Sequence, residues 1–293
     1  MKKNRKPLIL FMIKIVTVVL IAVLASDMGF SYAENISVQT SDGNIQTADG
    51  NIQTANVDTL TAPRLVAHAG GEIYGIRLTN SLQAFYNSYD KGFRFFEVDI
   101  SKTSDGVPVL VHDWGNTNWL RDIKYSTKAA TYEEFESTKT ILGLKLMDIS
   151  LLLEWLSKHP DAYVITDVKE DNIGVLSTIK ELYPKIVGQI IPQIYSFEEY
   201  DTVKALGYEH IILTLYKLDA PADKVLGFCD SHELFALTMS VDRATPDYVK
   251  QFINIKIPIY AHGVNDLDVY EKLRDSGIYG VYTDYFQPSD WIE

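Results

Sequence analysis

The chain has 293 residues, 46% hydrophobic and 23% charged, which excludes a disordered or fibrous protein and leaves ample chain to bury a large core. The net charge is −12; the first 33 residues hold five bases and one acid, so the other 260 carry −16. A body that acidic repels polyanions and no basic run occurs beyond the amino terminus, so no nucleic-acid partner is expected. Cys229 is the only cysteine, which rules out an intramolecular disulfide and a thiolate metal cluster.

Met1 to Lys6 is basic, and Leu8 to Ala25 is almost wholly apolar, broken by Lys14 and Thr17. Ser31-Tyr32-Ala33 then offers small residues at both positions that a signal peptidase reads. This layout predicts a secretory signal over residues 1–33 and an exported protein, extracellular or in the cell envelope. The rival is an uncleaved anchor, since the stretch approaches the ~17–25 residues that span a bilayer; Lys14 and the well-formed cleavage site favour cleavage. Across residues 34–62, Ser41-Asp-Gly-Asn-Ile-Gln-Thr47 recurs as Ala48-Asp-Gly-Asn-Ile-Gln-Thr54. One Ile per repeat cannot build a coiled-coil seam, so this reads as a flexible linker before a folded domain over 63–293.

From Arg64 onward, β-rich runs alternate with helical patterns. Leu65–His68 is the first strand, followed by a helix with Leu82, Phe85, Tyr86 and Tyr89 on one face. Phe93–Ile100 is the second. After a longer excursion, a helix from Asp148 to Lys158 leads to a third strand, Tyr163–Val168. A helix over Ile173–Leu182 precedes the fourth, Ile186–Tyr195. Ser196-Phe-Glu-Glu199 reads as a capping box opening a helix that Gly207 ends. The fifth and sixth strands are Ile211–Tyr216 and Leu234–Val241. Thr245-Pro246 caps and starts a helix, with proline at its tolerated first position. Ile257–Ala261, a helix over Asp266–Asp275, and Ile278–Thr283 complete eight strands. Strands regularly followed by helices imply a parallel sheet, and eight of them in about 230 residues predict a single (β/α)8 TIM barrel with an excursion after strand two. A doubly wound sheet is disfavoured because no glycine-rich phosphate loop is present.

A barrel places its chemistry at the carboxyl ends of its strands. His68 ends strand one, Glu97 and Asp99 end strand two, and Asp167 and Lys169 end strand three. His112 lies on a short strand within the excursion. Period-two geometry puts Glu97 and Asp99 on one face, with Phe96 and Val98 turned toward the helices. Three inward carboxylates repel one another unless a cation sits between them, and an all-oxygen set suits Mg²⁺ or Ca²⁺, not zinc. The plain alternative is a solvated rim of charges; E-x-D, D-x-K and a histidine on successive strands favour a site.

The stretch Gly92 to Asp113 resembles the glycerophosphodiester phosphodiesterase signature G-x(4)-E-x-D-x(3)-T-x-D-G-x-x-V-x-x-H-D without a gap. That family lies within the phosphatidylinositol-phospholipase-C-like phosphodiesterases, and the resemblance runs from Arg64 to Gln287. It implies a (β/α)8 barrel, His68 and His112 as the acid–base pair, and Glu97, Asp99 and Asp167 as ligands of one divalent cation. Lys169 matches the lysine near the substrate phosphate, and Asn80 and His262 fall at substrate-binding positions. Thr283-Asp284 and Val264-Asn265-Asp266 also resemble family motifs. Four departures stand out: Ala69 replaces the arginine of H-R-G, Thr79-Asn80-Ser81 replaces E-N-T, aspartate replaces the third glutamate, and His262 stands where the family has an aromatic. D-x-K without the arginine is similar to the sphingomyelinase-D-type phospholipases.

His262 follows strand seven, lining the pocket or sitting in a plain loop. Trp114 and Trp119 lie in the excursion, either over the site or packed elsewhere. His159, His210, His232 and Cys229 read as structural. The expectation is an exported, metal-dependent phosphodiesterase acting on a small phosphodiester or a lipid head group, including one at a membrane surface. A cyclic-phosphate-forming phospholipase and a non-catalytic barrel binding a phosphorylated envelope component are the alternatives.

Overall fold

Eight short parallel strands close on themselves in the computed structural model, which describes residues 60–115, 127–140 and 142–290. The signal, the linker repeat and Trp119 lie outside the described residues. Around the wall run β1 (Leu65–Ala67), β2 (Phe95–Lys102), β4 (Tyr163–Val168), β5 (Ile190–Ile194), β6 (Ile212–Thr214), β7 (Ala236–Ser240), β8 (Ile259–His262) and β9 (Gly280–Thr283). β9 pairs with β1, and Ala67 opposite Phe96 joins β1 to β2, completing the expected barrel. Between β2 and β4, β3 (Pro108–Leu110) runs antiparallel along the upper part of β2, where Leu110 faces Ile100.

Helices cover the outside: α1 (Leu82–Asp90), α3 (Ile149–Ser157), α4 (Asn172–Leu182), α5 (Glu199–Ala205), α6 (Ala222–Ser231), α7 (Pro246–Val249) and α8 (Leu267–Ser276), with α2 (Tyr132–Ser137) in the excursion. The alternation in β2 explains the packing. Phe96 turns outward, stacks on Phe85 of α1 at 5.1 Å and meets the edge of Trp155 of α3 at 5.2 Å. Val98 is likewise fully buried against the helical layer, while Glu97 and Asp99 turn into the barrel.

Several boundaries differ from the sequence reading for identifiable reasons. Residues 184–189 form a 3-10 turn instead of the first half of a strand: Pro184 starts a helical turn, and Gln189 donates its side-chain amide to the carbonyls of Leu156 in the last turn of α3 and of His159 and Ala162 beyond it. Ser196 and Glu199 do not form a capping box. Glu199 instead accepts the Tyr195 amide at 2.8 Å and the Asn172 side chain at 3.1 Å, and α5 starts without a side-chain cap. The Thr245 cap with Pro246 at the first position is present, as is Gly207 after α5 with φ +94°. His112 lies beyond β3 instead of on it.

Candidate active site

The turn after β1 builds one wall. Ala69 and Asn80 adopt left-handed backbone, with φ +48° and +47°, and Gly70 and Gly71 have φ +79° and +89°. A Cβ on Gly70 would sit 2.8 Å from the Phe85 ring, and one on Gly71 2.1 Å from Ser88 Oγ, so both positions require glycine. The tight turn aims the Ala69 amide at Glu97 Oε2, 2.9 Å away, and brings His68 Nε2 to 3.9 Å from the same oxygen. His68 Nδ1 lies 3.0 Å from Asp284 Oδ1. Asn265 donates to the other oxygen of Asp284 and accepts the Asp284 amide and the Thr283 hydroxyl.

Asp99 and Asp167 stand opposite each other in the register of β2 and β4. Their carboxylates and that of Glu97 offer oxygens lying within 4.8 Å of one another. Lys169 Nζ bridges two of them, at 2.7 Å from Asp99 Oδ1 and 2.6 Å from Asp167 Oδ2. Asn80 donates its side-chain amide to Asp99 Oδ2 at 2.9 Å and accepts the Asp99 backbone amide. Both ends of this buried side chain, expected at the substrate, are thus turned on Asp99.

These contacts set the protonation of the cluster. Burial and the charge of Asp99 push the Glu97 carboxyl up to about 8. Burial acts against the imidazolium of His68, but the hydrogen bond to Asp284 and the charges of Glu97, Asp284 and Asp99 outweigh it and raise the group to about 9. Burial likewise disfavours the Lys169 ammonium, and the charges of Asp99, Asp167 and Glu97 more than restore it. Asp167 is held below the usual carboxylate range despite its burial, by Lys169 and by the hydroxyls of Tyr195 and Tyr216. The all-oxygen donor set fits a hard divalent cation. The like charges of Asp99 and Asp167 beside buried Glu97, opposed by His68 and Lys169, are what such an ion would neutralise.

The structure therefore brings His68, Glu97, Asp99, Asp167, Lys169 and Asn80 together. His112 hydrogen-bonds Asp113 at 2.9 Å and leaves 42% of its side chain exposed; among the described residues no hydrogen bond or ion pair ties it to the carboxylates. The chain leaving Leu110 does run back along β2 toward the level of Asp99. His262 ends β8 instead of sitting in a loop, with its ring 5.7 Å from that of Tyr216. Burial and the charge of His68 push it down to about 4, and its Nε2 is buried with no hydrogen-bond partner among the described residues. Trp114 packs edge-on against Phe135 and donates to the Lys102 carbonyl.

Sequence reasoning missed two groups. Tyr195 and Tyr216 each donate to Asp167 Oδ1 at 2.7 Å. Both follow their strands at the barrel mouth, and a search for phenols as well as charges there would have found them. Arg77, more than half exposed, lies 3.6 Å from Asp284 and brings a guanidinium to the wall where Ala69 has none.

A closed parallel barrel with carboxylates, an ammonium and an imidazole at the carboxyl ends of its strands is the plan of a barrel enzyme. Residues 68–287 match the model of the glycerophosphoryl diester phosphodiesterase family; the chain belongs to that family and is a phosphoric diester hydrolase. Solved structures repeat the fold. A glycerophosphodiester phosphodiesterase from Thermotoga maritima is 20% identical, with a TM-score of 0.59 over 77% of this chain and 96% of that one. An Oleispira antarctica phosphodiesterase, in complex with the product sn-glycerol-3-phosphate, is 17% identical, with a TM-score of 0.60 over 76% and 93%. One from Parabacteroides distasonis is 18% identical, with a TM-score of 0.57 over 75% and 92%.

Proposed function

We propose that the protein is an exported, cation-dependent phosphodiesterase that cleaves a glycerophosphodiester or a related phospholipid-derived phosphodiester. The observation that carries this reading is the convergence of Glu97, Asp99 and Asp167, within 4.8 Å of one another, beside His68 at the barrel mouth. The product held by the Oleispira relative, sn-glycerol-3-phosphate, supports a small phosphodiester as the substrate class.

Glu97, Asp99 and Asp167 would hold one Ca²⁺ or Mg²⁺. Bound there, the ion supplies charge neutralisation for the phosphate and acidifies a hydroxyl nucleophile. The protein's own groups move the protons. His68 directs Nδ1 at Asp284, which leaves Nε2 facing the cluster, and its raised affinity for a proton suits it to protonate the departing alkoxide. His112, oriented through Nδ1 by Asp113, takes the proton of the nucleophile at Nε2. The carboxylate on each Nδ1 orients its ring and leaves Nε2 for the proton transfer.

Phosphorus NMR of glycerophosphodiesters and lysolipids, with and without chelator, tests this reading. Hydrolysis that stops on chelation and resumes with Ca²⁺ or Mg²⁺ is expected; no turnover of any member, or full turnover in chelator, contradicts it. Including 2-deoxy glycerol analogues separates attack by the substrate's own hydroxyl, which passes through a cyclic phosphate, from attack by water. For export, intact-mass measurement of the secreted fraction should show a chain beginning at Glu34.

A further inference from the structure

The three carboxylates offer fewer free oxygens than their number implies. Asp99 has Oδ2 held by the Asn80 side chain, and Asn80 in turn holds the Asp99 backbone amide at 3.1 Å, so the carboxylate cannot rotate without losing a contact. Asp167 has Oδ1 taken by two phenols. Those phenols are themselves braced: the rings of Tyr195 and Tyr216 meet edge-on at 5.9 Å, and Lys217 Nζ lies 4.2 Å and 5.2 Å from their centres. Of these two aspartates, Asp99 Oδ1 and Asp167 Oδ2 remain, one oxygen from each strand, and the Lys169 ammonium touches both, while the third carboxylate, Glu97, has Oε2 on the Ala69 amide. Lys169 cannot retreat along the backbone, because its amide is bound to the Ile100 carbonyl of β2 at 2.8 Å. Only its four-carbon side chain is free to move.

We propose that Lys169 and the divalent cation are alternative occupants of one position, defined by Asp99 Oδ1 and Asp167 Oδ2, so that cation entry releases the lysine ammonium to the substrate phosphate. This rests on the cation-dependent reading above and adds an order to it: cation first, phosphate second. Two cations at the same two oxygens repel at contact range, and the charge each needs cannot be shared. Tyr195 and Tyr216 are positioning residues in the exchange. With both hydroxyls on Oδ1, Asp167 cannot offer one oxygen to the ion and the other to the lysine. The Lys169 ammonium keeps the Asp99 and Asp167 carboxylates from facing one another uncompensated.

Amine-reactive pulse labelling of the folded protein, read by mass spectrometry residue by residue, tests the exchange without using turnover. Labelling of Lys169 should rise at least about ten-fold when Ca²⁺ or Mg²⁺ saturates the site. Lys158, an exposed residue paired with Glu154, should not respond. In calorimetry Lys169→Met should bind the ion about ten-fold or more tightly than the wild type, having lost a competing charge. The double variant Tyr195→Phe with Tyr216→Phe should still bind the ion, yet lose the cation-dependent change at Lys169, because Oδ1 is then free to keep the lysine. Cation binding with unchanged or reduced Lys169 labelling overturns the exchange and leaves the functional reading standing. Lys169→Met with unchanged or weaker affinity overturns it as well. If the wild type binds neither ion, the cation reading falls and the exchange falls with it.

Discussion

At the amino-terminal end of the barrel, Phe95 stacks on Tyr163 at 5.0 Å, Phe235 lies parallel to Phe95 at 6.3 Å, and Arg64 covers the Tyr279 ring at 4.1 Å. At the carboxyl end the same strands carry Glu97, Asp99, Asp167, His262 and, just beyond β9, Asp284. The lower end is filled by aromatic surface that gains from leaving water. The upper end holds like charges together, uses left-handed backbone at Ala69 and Asn80, and leaves His262 Nε2 without a partner among the described residues. Each such feature costs of order 1–3 kcal/mol. One β2 strand serves both ends, with Phe95 at the bottom and Asp99 four residues above it. The contrast locates stability in one layer and chemistry in another, which separates the effects of mutating them.

The largest expected effect lies at the upper end. Asp99→Asn should lower phosphodiester hydrolysis by about 10⁴-fold or more and abolish measurable cation binding. The barrel should stay folded with at most a modest drop in thermal midpoint, because relief of carboxylate repulsion offsets part of the lost contacts to Lys169 and Asn80. Activity assays beside thermal unfolding check this, and a collapse of the midpoint would mean that Asp99 belongs to the structural layer. Phe95→Ala makes the reverse experiment. It should cost about 3–5 kcal/mol of stability in denaturant unfolding while the folded fraction keeps its kcat. A smaller effect is the pH dependence of cation binding. With the Glu97 carboxyl at about 8 in the cation-free protein, an ion binding below that pH must displace a proton. Affinity should therefore fall by up to about ten-fold per unit as the pH drops below 8, and level off only above about 9, once His68 beside Glu97 has also lost its charge. Calorimetry at several pH values in buffers of different ionisation enthalpy would show both the slope and the proton release.

The same contrast explains what could be read from the sequence. β2 was legible at both ends, because its alternation fixed Phe96 and Val98 outward and Glu97 and Asp99 inward, and the register with β4 then made Asp167 their neighbour. The barrel followed from the repeated strand–helix pattern. Local competition was not legible. Glu199 has the spacing of a capping residue, yet a tertiary contact to Asn172 takes its carboxylate, and nothing in the local sequence reports that partner 27 residues away. Ile186 and Val187 carry the composition of a strand, but Pro184 and the contacts of Gln189 bend that stretch into a turn. Tyr195 and Tyr216 end their strands in the sequence pattern, but a phenol at a strand end is ordinarily packing, so nothing local marks either as a partner of Asp167. Asn80 falls at a position that the family resemblance assigns to the substrate, and only the fold shows its amide closing on Asp99 in both directions.

The central claim is that the carboxyl end of the barrel works only when a divalent ion occupies the three carboxylates. The most direct measurement is a stoichiometric titration of the metal-stripped protein with Ca²⁺ or Mg²⁺, following the initial rate on a glycerophosphodiester alongside the bound ion. The account predicts no hydrolysis before addition, and a rate that rises linearly to a plateau at one ion per chain. Full hydrolysis in the stripped protein, or the same titration curve in Asp99→Asn, would contradict it.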